Sequence, residues 1–174
     1  MSNLIPEKGI NLKVYLNGED LLVVAEGTIP ALESMTSEVK GAGVAGVVES
    51  PVIGHFNSTN FSLTWRTATS NFLKLFDHTT NDLELFSALQ QYDAGNGEYK
   101  AVQLHVYMKA ISKTRTPGNL VVGDLMDTQM EFEVPYMKIE LDGKEWIELD
   151  KYNYIYKVNG VDQLADVRTA LGMS

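Results

Sequence analysis

The sequence predicts a mainly β domain (β-rich α+β), an antiparallel β-sandwich or barrel of hairpins with a short flanking helix and a short C-terminal helix. Three observations carry this. Apolar and polar residues alternate with period two in several segments, Asn-Gly and Asp-Gly dipeptides separate such segments, and only two short stretches show helical spacing. At 174 residues the chain is expected to form one domain, 1–174, large enough to bury roughly 70% of its unfolded surface.

Taken in order, residues 1–9 read as an irregular arm and residues 10–24 as two short strands around Asn17-Gly18, because Asn and Gly tolerate the positive φ angles of a tight hairpin. Residues 33–40 are mixed. The stretch 41–54 is rich in glycine and interrupted by Pro51, so it reads as a long loop or open hairpin. Phe61, Leu63 and Trp65 alternate with Ser62, Thr64 and Arg66, the pattern of a half-buried strand. Ser70 is placed to cap a short helix over 70–77 that carries Phe72, Leu73, Leu75 and Phe76. Residues 83–92 and 99–112 flank Gly95-Asn96-Gly97 and form the best hairpin candidate; Val102, Leu104, Val106, Met108 and Ala110 oppose a mostly polar face. A polar loop over 113–118 follows. Met130, Phe132 and Val134 alternate with acidic and amide residues until Pro135, which lacks an N–H and marks a bend or a sheet edge.

The segment 137–160 raises a packing problem. Met137, Ile139 and Leu141 form one apolar face before the Asp142-Gly143 turn. Beyond it, Ile147, Leu149 and Ile155 are expected on one face of a second long strand and Trp146, Tyr152, Tyr154 and Tyr156 on the other. One core cannot cover both faces, so the aromatic side reads as an association surface. Asn159-Gly160 ends the sheet, and Asp162 is expected to cap a helix over 162–171 with Leu164, Val167 and Leu171 on one face and Gly172 as its stop.

Composition narrows the function classes. Zero cysteines exclude disulfides and thiolate chemistry and fit folding in a reducing cytoplasm. The N-terminus lacks the features of a signal peptide, and no run approaches the ~18 apolar residues of a membrane helix. A formal net charge of −9 disfavours tight binding to phosphate backbones or anionic lipid. Gly41-Ala42-Gly43-Val44-Ala45-Gly46 fits GxGxxG, yet a β-branched, Pro-containing stretch follows where a dinucleotide site needs a helix. A side-chain-poor loop that inserts against another backbone accounts for it better. His55, His78 and His105 are widely spaced and show no metal-binding pattern. Glu131 with Glu133, and Glu148 with Asp150, read as acidic edges rather than acid–base pairs. No nucleophile constellation or phosphate loop is present, so no catalytic residue, metal or cofactor is expected.

The C-terminal segment resembles the signature of the major tail tube proteins of contractile-tailed phages, a family also found in R-type bacteriocins. The likeness rests on Leu141-Asp142-Gly143-Lys144-Glu145, Glu148-Leu149-Asp150, Lys157-Val158-Asn159-Gly160-Val161-Asp162 and the terminal helix. Lys40-Gly41-Ala42-Gly43 followed by Gly46 resembles the family's basic-Gly-Ala-Gly loop, and Val14-Tyr15-Leu16-Asn17-Gly18 its opening hairpin. The resemblance implies a structural subunit that forms hexameric rings, stacked into a hollow conduit for DNA or for membrane puncture. It implies as partners further copies, a contractile sheath protein, and baseplate and tail-terminator proteins, with DNA only as passing cargo. An extended loop at about 38–56, with Lys40, Gly41, Ala42, Gly43, Val44, Ala45 and Gly46, would reach the adjacent ring. Trp146, Tyr152, Tyr154 and Tyr156 would lie at the subunit interface, and Glu38, Gln90, Gln103 and His105 are the candidates for the lumen wall. The particle would assemble in the bacterial cytoplasm and act as a virion tail or extracellular bacteriocin. The alternative from the residues alone is a β-sandwich module that binds a sugar or peptide through its tyrosines.

Overall fold

The computed structural model describes residues 3–20 and 24–173. The opening strand β1 (Leu4–Leu16) turns at Asn17-Gly18, with φ of 48° and 83°, into β2 (Glu19–Asp20). The arm expected at 1–9 is therefore strand from Leu4 onward: β7 (Thr80–Asp93) supplies it with a hydrogen-bonded neighbour along its whole length. Residues 1, 2 and 21–23 of the expected arm and second strand lie outside the described residues. Next come β3 (Val24–Thr28), β4 (Ser34–Val39), β5 (Val48–Phe56) and β6 (Asn60–Trp65). The mixed stretch 33–40 is thus largely strand, and the glycine-rich segment is an open hairpin.

Helix α1 (Ser70–Lys74) is capped one residue earlier than its sequence suggests. The Thr69 hydroxyl accepts from the Phe72 amide, because Thr69 is the residue with extended backbone at the cap. The helix seats Phe72 edge-on against Trp65 with centroids 5.4 Å apart. Strands β7 and β8 (Glu98–Thr116) pair without a register shift from Thr80↔Ile111 to Asp93↔Glu98, around the turn at 94–97.

Strand β9 (Thr128–Leu141) runs through Pro135, which overturns the edge reading. Up to Glu133 it pairs with β6; from Tyr136 it pairs on that side with β10 (Lys144–Asp150). Pro135 falls at this change of partner, opposite a register shift in β8 between Lys109 and Ile111, where a missing N–H breaks no ladder bond. The long second strand expected after Gly143 is three: β10, β11 (Ile155–Val158) and β12 (Val161–Asp162), with residues 151–154 forming a turn. Helix α2 (Ala165–Ala170) ends the chain, shorter than 162–171. Asp162 is not its N-cap; it lies in β12 and accepts from the Leu164 amide at 3.0 Å.

The described strands form one ten-stranded sheet, β12-β11-β10-β9-β8-β7-β1-β2, with β6 and β3 branching from β9, and a separate β4–β5 ribbon. The sheet wraps one core of Val14, Leu63, Trp65, Leu83, Met108 and Phe132 with their neighbours. Period-two alternation places these side chains inward, and a buried side chain of this size contributes about 1.5–3 kcal/mol. The mainly β, antiparallel fold with two short helices is the one the sequence predicts.

Candidate functional site

The β4–β5 ribbon stands off the core. Every residue of β4 is exposed, including Glu38, which pairs with Glu49 across the ribbon and reaches Lys40 at 3.4 Å. Its tip holds Gly41, Gly43 and Gly46 at φ of 139°, 96° and 147°, so this course suits glycine and gives a thin loop. A Cβ at any of the three would meet nothing within 4 Å. Val39, Val44, Val47, Val48, Val52 and Ile53 are exposed along the ribbon. Apolar side chains on an arm without a core suit burial by another molecule. At the ribbon's root, β5 bulges between Pro51 and Phe56, and Gly54 takes φ 72°. The missing side chain admits Leu164, which is buried. Phe56 packs on Tyr156 with centroids 4.9 Å apart, so the arm is fixed to the C-terminal unit.

The far part of β1, β7 and β8 projects beyond the core as a three-stranded extension. Strand β1 meets β2 only at Tyr15 and Leu16, which leaves its outer edge from Leu4 to Val14 without a partner strand among the described residues. Strand β8 pairs with β9 only from Leu104 onward, so its edge from Glu98 to Val102 is also open. The tip is rigid: the buried Asp93 carboxylate accepts from the Gly95 amide at 3.0 Å, Asn96 at 3.2 Å and Lys100 at 2.9 Å. The Lys100 ammonium, ahead of the amide bonds and against desolvation, holds Asp93 below the usual carboxylate range.

Three of the four lumen candidates share this extension's outer face, opposite the core: Gln90 across from Ala101, Gln103 from Ala88, and His105 from Phe86. None is sealed in the core. His105 stacks on Phe86 at 4.2 Å and lies between Glu84 at 3.2 Å and Glu140 at 3.4 Å. Gln90 donates to Glu7. Glu38 is not brought to this face, since it belongs to the separate ribbon.

The four aromatic candidates do not share one strand face. Trp146 projects from β10, Tyr152 and Tyr154 sit in the 151–154 turn, and Tyr156 lies on β11 against Phe56. The turn arises because Asp150 accepts from the Tyr152 and Asn153 amides, which breaks the strand that period-two counting extends. Tyr152 remains 77% exposed and Trp146 46%. An ionic network ties this unit to the sheet. Glu148 accepts from Lys157 at 2.6 Å and Tyr136 at 3.0 Å; the Lys157 ammonium lowers its pKa against the effect of burial. Burial first, then the Glu148 hydrogen bond, pushes the Tyr136 hydroxyl to about 12. Arg168 bonds Asp162 at 2.5 Å and the Tyr154 carbonyl at 2.8 Å, which clamps α2 onto the turn.

Three features escape sequence reading: the open edges, the Gly54 contact, and a loop over 117–127. That loop carries Leu120, Val121 and Val122 exposed between Pro117-Gly118 and Gly123-Asp124, a short apolar run framed by turn residues. Among the described residues no group of three or more His, Asp or Glu is arranged to hold a metal, and no helix is long and apolar enough to cross a membrane.

Open strand edges among the described residues and a projecting ribbon of exposed apolar side chains suit a structural assembly subunit. The family model for phage tail tube protein FII matches residues 6–172, and the chain belongs to this family. It is 28% identical to the tail tube protein of Escherichia phage P2 over 176 aligned residues, covering 97% of this chain and 99% of that one. Two chains of an extracellular contractile injection system, PVC, both in the extended state, share the fold. Its sheath/tube terminator gives a TM-score of 0.52 at 13% identity, covering 75% of this chain and 94% of that one. A chain of its sheath-tube complex gives 0.51 at 14%, covering 78% and 90%. The protein is a structural tail tube subunit.

Proposed function

We propose that the subunit forms hexameric rings by joining the open edge of β1 in one copy to the open edge of β8 in the next. The observation that carries this is the pair of edges, on a single three-stranded extension, that have no partner strand among the described residues. A long bare edge invites non-specific pairing in a monomer, whereas a ring of copies removes it. Within one copy β1 and β8 both run antiparallel to β7, so the joint between copies is parallel. Six such extensions close the tube wall.

With the wall closed this way, Gln90, Gln103 and His105 face the lumen. The ribbon carrying Lys40 to Gly46 reaches the adjacent ring, and its glycines permit close backbone approach. Trp146 and Tyr152 supply exposed aromatic area at subunit contacts. A contractile sheath surrounds the tube, as the related sheath-tube complex suggests, and baseplate and terminator proteins close its ends. No bond-making chemistry is required. The sugar- or peptide-binding alternative loses its basis, since the aromatics are distributed over β10, a turn and β11.

Negative-stain microscopy of the purified protein across a concentration series tests this. Rings and hollow filaments should appear as concentration rises. Single compact particles at every concentration would overturn it.

A further inference from the structure

The loop joining β8 to β9 is apolar at its tip and held firmly at its base. The Asn119 amide donates to the Met126 carbonyl at 2.9 Å, the Met126 amide to the Arg66 carbonyl at 2.9 Å, and the Thr128 hydroxyl to the Pro117 carbonyl at 3.1 Å. Gly118, at φ 91°, lies so close to the Met126 backbone that a Cβ would collide with it. The loop therefore projects as one piece. At its tip Val122 is fully exposed and Leu120 is 88% exposed, the two most exposed large apolar side chains among the described residues. Ordering such a tip without burying it gains nothing, which points to a covering surface.

A matching surface lies farther along β8, beside the opposite end of β9. Leu12, Ile29, Leu85, Leu89, Leu104 and Val106 line an open cleft of about 190 Å3 beside Gly27, walled by apolar groups apart from Ser87. Thr116, where the loop leaves β8, pairs with Gln129, whereas Leu104 pairs with Leu141 at the opposite end of β9. Tip and cleft are separated by up to roughly 40 Å of strand, at ~3.3 Å per residue.

We infer that the Leu120–Val121–Val122 tip of one subunit inserts into the Leu12/Ile29/Leu89/Leu104 cleft of another copy of this chain. Two complementary patches at well-separated places on one molecule make a head-to-tail contact. Such a contact repeats from copy to copy, as a tube requires, whereas a two-fold dimer needs one self-complementary patch. An aliphatic tip also fits an aliphatic cleft without leaving a polar group unpaired. This contact rests on the tube reading and is additional to the edge pairing and to the glycine ribbon.

The absence of native cysteine makes disulfide mapping clean. Val122→Cys protein and Ile29→Cys protein, mixed, assembled and mildly oxidised, should give a covalent heterodimer. The double variant should give a ladder of oligomers, and unassembled protein should give neither. Val122→Asp, at an exposed site, should keep the native circular dichroism and melting temperature but need about tenfold more protein to form tubes, as expected when one Val side chain fails to be buried. Native filaments with no Val122–Ile29 crosslink, together with Val122→Asp filaments at the native concentration, would overturn the contact and leave the tube reading intact. Failure of the native protein itself to form filaments would overturn both. A crosslink between two Val122→Cys copies in place of the heterodimer would put the tip against its counterpart and reject the cleft.

Discussion

Replacing Gly54 with Val probes how the projecting ribbon is fixed to the domain. Gly54 has φ 72°, a region costing a side-chain-bearing residue roughly 1–2 kcal/mol, and a β-branched one more. Its Cβ would come to 2.6 Å from Leu164 Cδ1 and nearer still to Cδ2. Leu164 is 2% exposed, so driving it out forfeits about 1.5–3 kcal/mol of burial. The two effects sum to roughly 3–5 kcal/mol, limited by the option of releasing α2 together with Leu164. Hydrogen exchange should show the Arg168 and Leu171 amides, bonded to the Leu164 and Val167 carbonyls, losing protection while the β6 and β8 amides keep theirs. Gly143→Val is the control: φ is 71° there but the space is open, so it carries the backbone strain without the overlap. Equal protection of α2 in native and Gly54→Val proteins would refute the anchoring role.

Three further outcomes follow from named contacts. Replacing Gly43 with Phe should leave the subunit folded, since a Cβ there meets nothing within 4 Å, yet stop ring stacking; normal tubes by electron microscopy would reject the inter-ring role. Glu148 is held below its usual pKa by Lys157, so its contribution is present above the unfolded value of about 4.3 and is lost as pH falls through the folded one. Glu148→Gln should therefore flatten the acid limb of stability below about pH 4.3, and an unchanged acid limb would contradict the pairing. Tyr107 and Tyr136 are raised to about 12, mainly by burial and then by Asp82 and Glu148, so their neutral forms contribute stability that is full below pH ~10 and lost towards 12. An absorbance titration should show two late tyrosines, and Tyr107→Phe should remove one.

Much of the fold is legible in the sequence because period-two alternation reports burial directly. Phe61, Leu63 and Trp65, and Met130, Phe132 and Val134, all face the core as their spacing requires. The losses have local causes. Asp150 nucleates a turn that breaks the alternation carrying Tyr152 and Tyr154, and Pro135 is tolerated because β9 exchanges neighbours there. Residues 4–9 conceal a strand because Pro6, Lys8 and Gly9 interrupt its pattern with register shifts. The surfaces proposed for assembly were legible in part. Glycine spacing marks the ribbon tip, but an open edge is a relation between strands far apart in the chain, which no local pattern records.

The proposed ring depends on strand edges that further copies complete. Hydrogen exchange of unassembled subunits against filaments tests it most directly. Outward-facing amides over residues 4–14 and 98–102 should exchange rapidly in the subunit and become strongly protected in the filament. Rapid exchange of both segments within intact filaments would contradict it.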